Sequence, residues 1–187
     1  MIKAFLDTGA LLQGHFKLRS GLHSGEYFQC ALVLQHPAVA GKMCRALAEK
    51  IRAGMGPGFT ADGVIAPALG GLVVGHEIAR ELGVRFIFAE KQDNRLVMRR
   101  GFKIRAGERF VVAEDVITRG GRVDETIAIV EAAGGVAAAI GVLVDRSGGK
   151  ASFKPPVFSL LKMEPVTYEP GKCPLCAKKV PMDHPGS

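Results

Sequence analysis

The sequence predicts an α/β fold with a central, mainly parallel sheet that is flanked by helices. Strand–turn–helix units repeat along the chain, and the predicted strands are apolar throughout instead of alternating with polar residues. Of the 187 residues, 48% are hydrophobic and only 6% are aromatic, which favours an aliphatic core over disorder. The length suits a single domain, and no repeat or linker divides the chain.

The N-terminal part of the chain carries mixed signals. Apolar residues at helical spacing predict a short amphipathic helix within residues 1–10. Residues 14–24 are rich in turn formers, and the apolar run at residues 27–34 predicts a strand. Pro37 suits a first helical position, and the four-residue apolar repeat after it predicts a helix to about Ala53.

The rest of the chain reads more regularly. We predict strands at residues 63–66, 84–89, 110–113 and 136–144, whereas the remainder of the chain is Pro-rich with short apolar runs at 157–161 and 165–168. A helix follows the first of these strands to about Leu82, and another follows the third and ends at Gly134. Residues 90–101 are polar and charged, so they predict an exposed loop or a hairpin arm.

Three of the predicted strands end in turns that suit a ligand. These turns are Pro67-Ala-Leu-Gly-Gly71, the segment from Glu114 to Arg122, and Asp145-Arg-Ser-Gly-Gly149. Ligands of open α/β sheets bind beyond the carboxyl ends of the strands. The sequence therefore predicts that the three turns converge on one crevice.

The second of these turns combines two chemistries. Glu114 and Asp115 can accept hydrogen bonds from a polyol, and the backbone N–H groups of residues 118–121, before the next helix, can bind a phosphate. Together they predict a sugar-phosphate site. The alternative is structural, with Asp115 capping a turn and Glu114 in a salt bridge. Neither G-x-G-x-x-G nor a P-loop motif is present, which disfavours dinucleotide and P-loop NTPase functions.

The net charge of +7 permits a polyanionic ligand. No run of five or six like charges occurs, and aromatic residues do not interleave with the basic ones, so we expect no nucleic-acid partner. The basic residues form either a solvated face or a phosphate site, which Arg119 and Arg122 beside the glycine turn favour. They concentrate at Lys91, Arg95, Arg99, Arg100, Lys103, Arg105, Arg119 and Arg122.

The sequence predicts a cytoplasmic protein with no membrane association. No apolar run reaches the roughly 18 residues of a membrane span. The N-terminus also lacks the apolar stretch and cleavage site of a signal peptide.

Four cysteines are present, and no metal ligands are assigned from the sequence. Cys30 and Cys44 lie among apolar neighbours and are interpreted as core thiols. Cys173-Pro-Leu-Cys176 is half of a structural zinc motif, and the nearby His184 is a possible partner. Three alternatives stay open: reduced surface thiols, which we favour, a metal shared across a dimer, or a labile disulfide.

The segment from Val111 to Gly121 resembles the phosphoribosyl pyrophosphate signature of type I phosphoribosyltransferases. The resemblance implies that Glu114 and Asp115 bind the ribose hydroxyls, with Asp115 also counted as catalytic, and that the following loop wraps the 5′-phosphate. Arg119 and Arg122 depart from the small or hydroxyl residues usual there, but they leave the backbone amides in place. The implied binding residues of the loop are Val116, Ile117, Thr118, Arg119, Gly120, Gly121 and Arg122.

Other segments are similar to bacterial orotate phosphoribosyltransferases in particular. The segment from Gly14 to Phe28 resembles their N-terminal part, which implies that Arg19 and Phe28 help to enclose orotate and pyrophosphate. The turn with Leu69 and Gly70 resembles the pyrophosphate loop, and Arg146 matches the residue that binds the orotate carboxylate. The resemblance covers residues 5–168.

Residues 90–101 occupy the place of that family's flexible catalytic loop. Lys91 matches the family's catalytic lysine, and Arg95 substitutes for a later basic residue, whereas the family's histidine is missing and the loop is shorter. The resemblance further implies Mg²⁺ as cofactor and a homodimer with shared active sites. It also implies one domain over residues 1–187, with a core at about 36–149 and a hood formed by about 1–35 and 150–187.

Two other functions are weighed against orotate transfer. One is a type I phosphoribosyltransferase that uses a purine or another base, against which Arg19, Phe28 and Arg146 argue. The other is a regulator that keeps the fold and binds phosphoribosyl pyrophosphate or nucleotides to control RNA or DNA. No helix-turn-helix or RNA-binding motif supports the regulator, and the acidic pair and Lys91 favour chemistry.

Overall fold

A computed structural model describes residues 2–18, 20–164 and 166–184. The helices are α1 (Ile2–Asp7), α2 (Cys30–Leu34), α3 (Pro37–Met55), α4 (Gly71–Leu82), α5 (Gly121–Ala132) and α6 (Pro174–Ala177). The strands are β1 (Leu11–Lys17), β2 (His23–Phe28), β3 (Gly63–Pro67), β4 (Arg85–Gln92), β5 (Arg95–Met98), β6 (Arg109–Ile117), β7 (Val136–Asp145), β8 (Val157–Lys162) and β9 (Thr167–Tyr168). None of the helices in these ranges has the length and apolar character needed to cross a membrane.

The large sheet has six strands in the order β5-β4-β3-β6-β7-β8. All neighbouring strands in it are parallel except the edge strand β5, which runs antiparallel to β4. Helices α3 and α4 pack on one face of the sheet, and α5 packs on the other. The predicted α/β fold with a mainly parallel central sheet is therefore confirmed.

The uniformly apolar strands follow from burial on both faces. Successive side chains of a strand point to opposite faces. Val64 of β3 and Val111 of β6 pack in the cluster beneath α3 and α4, while Ile65 and Val112 pack in the cluster beneath α5. All four side chains are fully buried, so neither face of these strands tolerates a polar residue.

The chain reverses its direction across the sheet between β3 and β6. The β3–α4–β4 unit moves toward one edge, and the β6–α5–β7 unit moves toward the other. Because the connecting helices leave in opposite directions, a crevice opens beyond the carboxyl ends of these two adjacent strands. The turns after β3 and β6 face each other there.

A small sheet forms beside the large one from both ends of the chain. It has the order β1-β2-β9, so the C-terminal strand β9 pairs with the N-terminal hairpin. Residues 150–187, which were predicted to belong to the hood, do not all lie near this small sheet, since β8 extends the large sheet beside β7.

Two predictions for the N-terminal region are wrong. Residues 14–24 are not mainly turns, because β1 and the start of β2 occupy most of them. A register shift between Gln13 and Phe16 breaks the alternation in β1, which explains why the strand is hidden in the sequence. Residues 27–34 are not one strand, since β2 ends at Phe28 and α2 follows. A short apolar run does not distinguish a helix from a strand.

Residues 90–101 form a hairpin arm, one of the two predicted alternatives. Strands β4 and β5 pair directly, with Gln92 opposite Arg95 across a two-residue turn. The turn residues Asp93 and Asn94 both have positive φ angles, of 48° and 64°. Short polar side chains of this type tolerate that conformation, which matches the twist of a two-residue hairpin.

Candidate active site

A cleft of about 630 Å³ opens where β3 and β6 end, and a cavity of about 260 Å³ lies beside it at the start of α5. The size of the cleft suits a metabolite-sized ligand. The predicted site residues that line the cleft are Phe28, Leu69, Gly70, Glu114, Asp115, Val116, Thr118, Arg119, Arg122 and Arg146. The cavity adds Ile117, Gly120 and Gly121.

The two carboxylates lie inside the last part of β6, which runs to Ile117 and not only to Ala113 as predicted. β6 pairs with β3 only as far as Val112, so Glu114 and Asp115 lie beyond the paired part of the two strands, where both line the crevice. Asp115 accepts a hydrogen bond from the backbone N–H of Val116 at 2.8 Å, which fixes its side chain.

The acidic pair has unusual protonation. Burial and the neighbouring Asp115 charge raise the pKa of Glu114 to about 9, and burial raises the pKa of Asp115 as well. Two adjacent carboxylates, one buried and one partly buried, cannot both ionise readily without a cation or hydrogen-bond donors. The pair is therefore suited to a ligand that brings hydroxyl groups, a cation, or both.

Glycines let the turn after β3 approach the acidic pair. A Cβ atom at Gly70 would lie 2.9 Å from both carboxylate oxygens of Asp115. A Cβ atom at Gly71 would lie 3.2 Å from Oε1 of Glu114 and 3.0 Å from the Cβ of Ala66. Any side chain at these positions would displace the turn, so the two predicted ligand turns form one continuous surface.

The turn before α5 is built for an anion. Gly120 adopts a left-handed conformation with φ +86°, and a Cβ atom there would lie 2.6 Å from the Phe153 ring. Gly121, the first residue of α5, has open space around its Cα. The first N–H groups of a helix have no partner within the helix and carry partial positive charge, so this cavity suits a phosphate.

Arg146 follows β7 and is buried, with 8% of its surface exposed. Its guanidinium carbon lies 5.4 Å from the centre of the Phe28 ring, and burial lowers the pKa of the group below its ordinary value. It makes no ion pair with any carboxylate of the described residues. A buried guanidinium of this kind suits an anionic ligand group.

Lys91 and Arg95 are predicted site residues that are not among those lining the cleft or the cavity. They lie on the β4–β5 hairpin, where Lys91 pairs with Leu96 and Gln92 with Arg95. Because side chains alternate along a strand, Lys91 and Arg95 point to opposite faces of the hairpin. The hairpin contacts α5 through a hydrogen bond from the Leu96 N–H to Glu125, which lines the phosphate-sized cavity.

Some lining residues were not predicted, and one predicted residue is not described. Arg19 lies outside the described residues. Tyr27, Gln29 and Cys30 line the cleft beside Phe28. Cys30 is buried as predicted for a core thiol, and its Sγ lies 3.9 Å from the carbonyl oxygen of Asp115. In the sequence, the only signal that pointed to Tyr27, Gln29 and Cys30 is their position next to Phe28.

Comparisons with known proteins agree with this geometry. The family model described as a phosphoribosyl transferase domain matches residues 32–170. The orotate phosphoribosyltransferase of Chlorobium phaeobacteroides (strain BS1) is 50% identical over 187 residues, which cover 100% of this chain and 94% of that protein.

Solved structures share the fold at lower identity. Orotate phosphoribosyltransferase from Aeropyrum pernix has a TM-score of 0.73 and 22% identity, covering 87% of this chain and 93% of that chain. Adenine phosphoribosyltransferase from Thermoanaerobacter pseudethanolicus has a TM-score of 0.62 and 21% identity, covering 74% and 88%. The fold by itself thus accommodates enzymes named for different bases.

Proposed function

The chain belongs to the phosphoribosyltransferase family, and we propose that it acts as an orotate phosphoribosyltransferase of pyrimidine biosynthesis. In this reaction the 5-phosphoribosyl group moves from phosphoribosyl pyrophosphate to orotate, giving orotidine 5′-monophosphate and pyrophosphate. The observation that carries the proposal is 50% identity over the whole chain to a protein of that name. The buried, unpaired Arg146 in the cleft supports an acidic base as the acceptor.

The acidic pair and the turn before α5 are assigned to the sugar phosphate. Glu114 and Asp115 accept hydrogen bonds from the two ribose hydroxyls, which offset the burial that raises their pKa values. The 5′-phosphate lies against the N–H groups from Thr118 to Gly121, with Arg119 and Arg122 at the rim. Both anchors lie at one end of β6, so they fix the ribose between them.

Orotate is assigned to the end of the cleft beside the small sheet. Its carboxylate pairs with the Arg146 guanidinium, and Phe28, which already packs on that guanidinium, covers the same end of the cleft. This arrangement directs N1 of orotate toward C1′ of the ribose. The N1–C1′ bond forms as the bond from C1′ to the pyrophosphate oxygen breaks, and the N1 proton passes to the departing pyrophosphate or to solvent.

Mg²⁺ fits the residues present as a cofactor. The ion prefers oxygen ligands and is usually held by one or two carboxylates together with substrate phosphates. Glu114 and Asp115 are adjacent carboxylates whose pKa values are raised by burial, so a bound cation would stabilise their charged forms. When bound, Mg²⁺ would neutralise charge that develops on the pyrophosphate.

The leaving pyrophosphate is assigned to the turn with Leu69 and Gly70, with help from Lys91. The turn borders the acidic pair, so it lies where the C1′ substituent departs. Lys91 makes no ion pair among the described residues and is exposed, so its ammonium group is available for an anion. A cation that meets the developing charge lowers the barrier more than it strengthens substrate binding.

Lys91 does not line the cleft of its own chain, which supports a homodimer with shared active sites. In that arrangement the hairpin of one subunit completes the cleft of the other. Mixing two inactive variants tests it, because a heterodimer of Lys91→Ala and Asp115→Asn has one intact site only if Lys91 acts across the interface. Recovered activity, together with a dimeric mass by light scattering, is expected. No recovery after subunit exchange would place Lys91 in its own cleft.

The substrate assignment is tested by pyrophosphate release with a panel of bases. Wild-type protein with phosphoribosyl pyrophosphate and Mg²⁺ is offered orotate, uracil, adenine and hypoxanthine. We expect turnover with orotate and little with uracil, which lacks the carboxylate that Arg146 binds. Preference for a purine would overturn the assignment of the base while leaving the family intact.

A further inference from the structure

A second cluster of reactive side chains lies outside the cleft, where the two ends of the chain meet. His15 of β1, His23 of β2, and Cys173 and Cys176 at α6 each offer one ligand atom, and all four atoms lie within 4.8 Å of one another. His15, His23 and Cys173 are buried, and only Cys176 is exposed. Two imidazoles and two thiols facing each other are donors for a borderline-soft metal ion.

The spacing of the ligand atoms matches a tetrahedral metal site. Bond lengths of about 2.3 Å to sulfur and about 2.0–2.1 Å to nitrogen give tetrahedral edges of roughly 3.8 Å between sulfurs, 3.6 Å between sulfur and nitrogen and 3.4 Å between nitrogens. His15 Nε2 lies 3.6 Å from Cys173 Sγ and 3.7 Å from Cys176 Sγ. His23 Nδ1 lies 3.3 Å from Cys176 Sγ and 3.0 Å from His15 Nε2.

The surrounding backbone orients these donors. His15 Nδ1 lies 2.9 Å from the Val180 carbonyl oxygen, to which it donates, so the lone pair of Nε2 points at the cluster. The two cysteines flank the first turn of α6, where the Ala177 N–H donates to the Cys173 carbonyl at 3.2 Å. Both thiols therefore face the same side of one tight turn.

We propose that His15, His23, Cys173 and Cys176 bind one Zn²⁺ ion in a structural site. The four protein donors complete a tetrahedral shell and leave no position for a substrate, which distinguishes a structural from a catalytic zinc. Sulfur and imidazole ligands also separate this site from the carboxylate pair, whose oxygens suit Mg²⁺.

The zinc site joins the C-terminal tail to the hairpin that borders the cleft. β2 begins at the ligand His23 and ends at Phe28, which packs on Arg146. Backbone hydrogen bonds between Lys17 and Asp183 and between Asp183 and His15 hold the tail along β1. Metal binding thus fixes the strand that presents Tyr27 and Phe28 to the ligand.

Metal content tests the proposal without reference to turnover. Protein prepared without an affinity tag and dialysed is analysed by elemental mass spectrometry, and we expect about one zinc per chain. The Cys173→Ser/Cys176→Ser variant should lose the metal, whereas Cys44→Ala, which removes a buried thiol of α3, should retain it. Wild-type protein without bound metal, or retention by the double variant, would overturn the proposal.

Cobalt substitution keeps the test independent of how well the variants fold. Wild-type protein stripped of zinc and titrated with Co²⁺ should give the intense visible bands of tetrahedral cobalt and a thiolate charge-transfer band, which added Zn²⁺ removes. A weak octahedral spectrum would contradict the site. So would an intact mass that shows a Cys173–Cys176 disulfide in protein purified without reductant.

The effect of the zinc site on substrate binding in the cleft is measured separately. After removal of zinc, activity is assayed with excess Mg²⁺, so that loss of the cofactor proposed for the acidic pair does not interfere. We expect the KM for orotate to rise, and zinc to restore it. An unchanged KM in zinc-free protein would show that the metal does not position the hairpin of β1 and β2. This conclusion holds whichever base the enzyme uses.

Discussion

The two walls of the cleft are held in place in different ways. The turns after β3 and β6 extend from adjacent parallel strands of the large sheet, where apolar packing on both faces fixes them. The opposite wall is the end of β2 in the three-stranded small sheet, whose strands come from both termini. The first wall depends on local strand–turn–helix units, and the second depends on contacts between distant parts of the chain.

We expect this difference to separate the residues that carry out the transfer from those that select the base. The wall formed by the large sheet carries the carboxylates and the phosphate turn, which any phosphoribosyltransferase needs. The wall formed by the small sheet carries Phe28, which packs on Arg146, and we assign the base to this end of the cleft. Changes in the two walls are therefore expected to affect different kinetic constants.

The largest effect is expected at the acidic pair. Asp115→Asn should lower kcat by roughly 10²–10³-fold, because a charge that stabilises the cationic ribose is lost. Thermal stability should not fall, since the substitution removes repulsion from Glu114 and the amide oxygen still accepts from the Val116 N–H. Steady-state kinetics and a thermal melt check both results, with Asp7→Asn on the exposed face of α1 as control.

Arg146 lies where the two walls meet, and its substitution should change the KM for orotate alone. Arg146→Gln should raise the KM for orotate roughly 10- to 100-fold, since a hydrogen bond to a charged group contributes about 1.5–3 kcal/mol. The KM for phosphoribosyl pyrophosphate should change little. Arg45→Gln, in an exposed ion pair with Glu81, is the matched control. An equal loss for both substrates would argue against a base-specific role.

Substitutions at two adjacent glycines should affect stability and phosphate binding separately. Gly120→Ala forces a Cβ into a left-handed conformation against Phe153, so it should cost about 1–3 kcal/mol of stability. Gly121→Ala meets no atom within 4 Å and should leave the melting temperature unchanged. Its methyl group enters the cavity, so it should weaken phosphoribosyl pyrophosphate binding in a calorimetric titration. Equal melting temperatures for the two variants would contradict this account of the turn.

Measured per pH unit, the smallest effect is a pH dependence of stability. In the folded protein Glu114 keeps its proton to about pH 9, whereas an ordinary glutamate loses it near 4.5. The folded state therefore binds more protons in this window, so the free energy of unfolding should fall as pH rises, by at most about 1.4 kcal/mol per unit. This contribution is complete below about pH 4.5 and lost by about pH 9. Urea titrations across the window should show a shallower slope for Glu114→Gln.

The sequence predicts the wall formed by the large sheet well. Residues 63–66 and 136–144 match β3 and β7 closely, because strands buried on both faces leave a continuous apolar signal. The three turns predicted to converge do so, since parallel strands place their carboxyl ends at one edge. The extension of β6 to Ile117 was missed, because its polar residues interrupt the apolar run that marks the strand.

The small sheet was hidden from the sequence for physical reasons. A bulge disrupts the alternation in β1, and β9 is only two residues long, so neither gives a periodic signal. Cys173 and Cys176 suggested half of a zinc motif, but Cys173 is buried and not a surface thiol. The histidines that face it lie at the other end of the chain, and the two ends are brought together by the pairing of β2 with β9 and by the hydrogen bonds between Asp183 and β1.

The most direct test of the account is the fall in orotate absorbance after phosphoribosyl pyrophosphate and Mg²⁺ are added. We predict that the wild-type protein consumes orotate with stoichiometric formation of orotidine 5′-monophosphate, and that Asp115→Asn, folded to the same degree, hardly does. An unchanged orotate spectrum with folded, zinc-replete wild-type protein would contradict the central claim that this cleft joins orotate to the phosphoribosyl group.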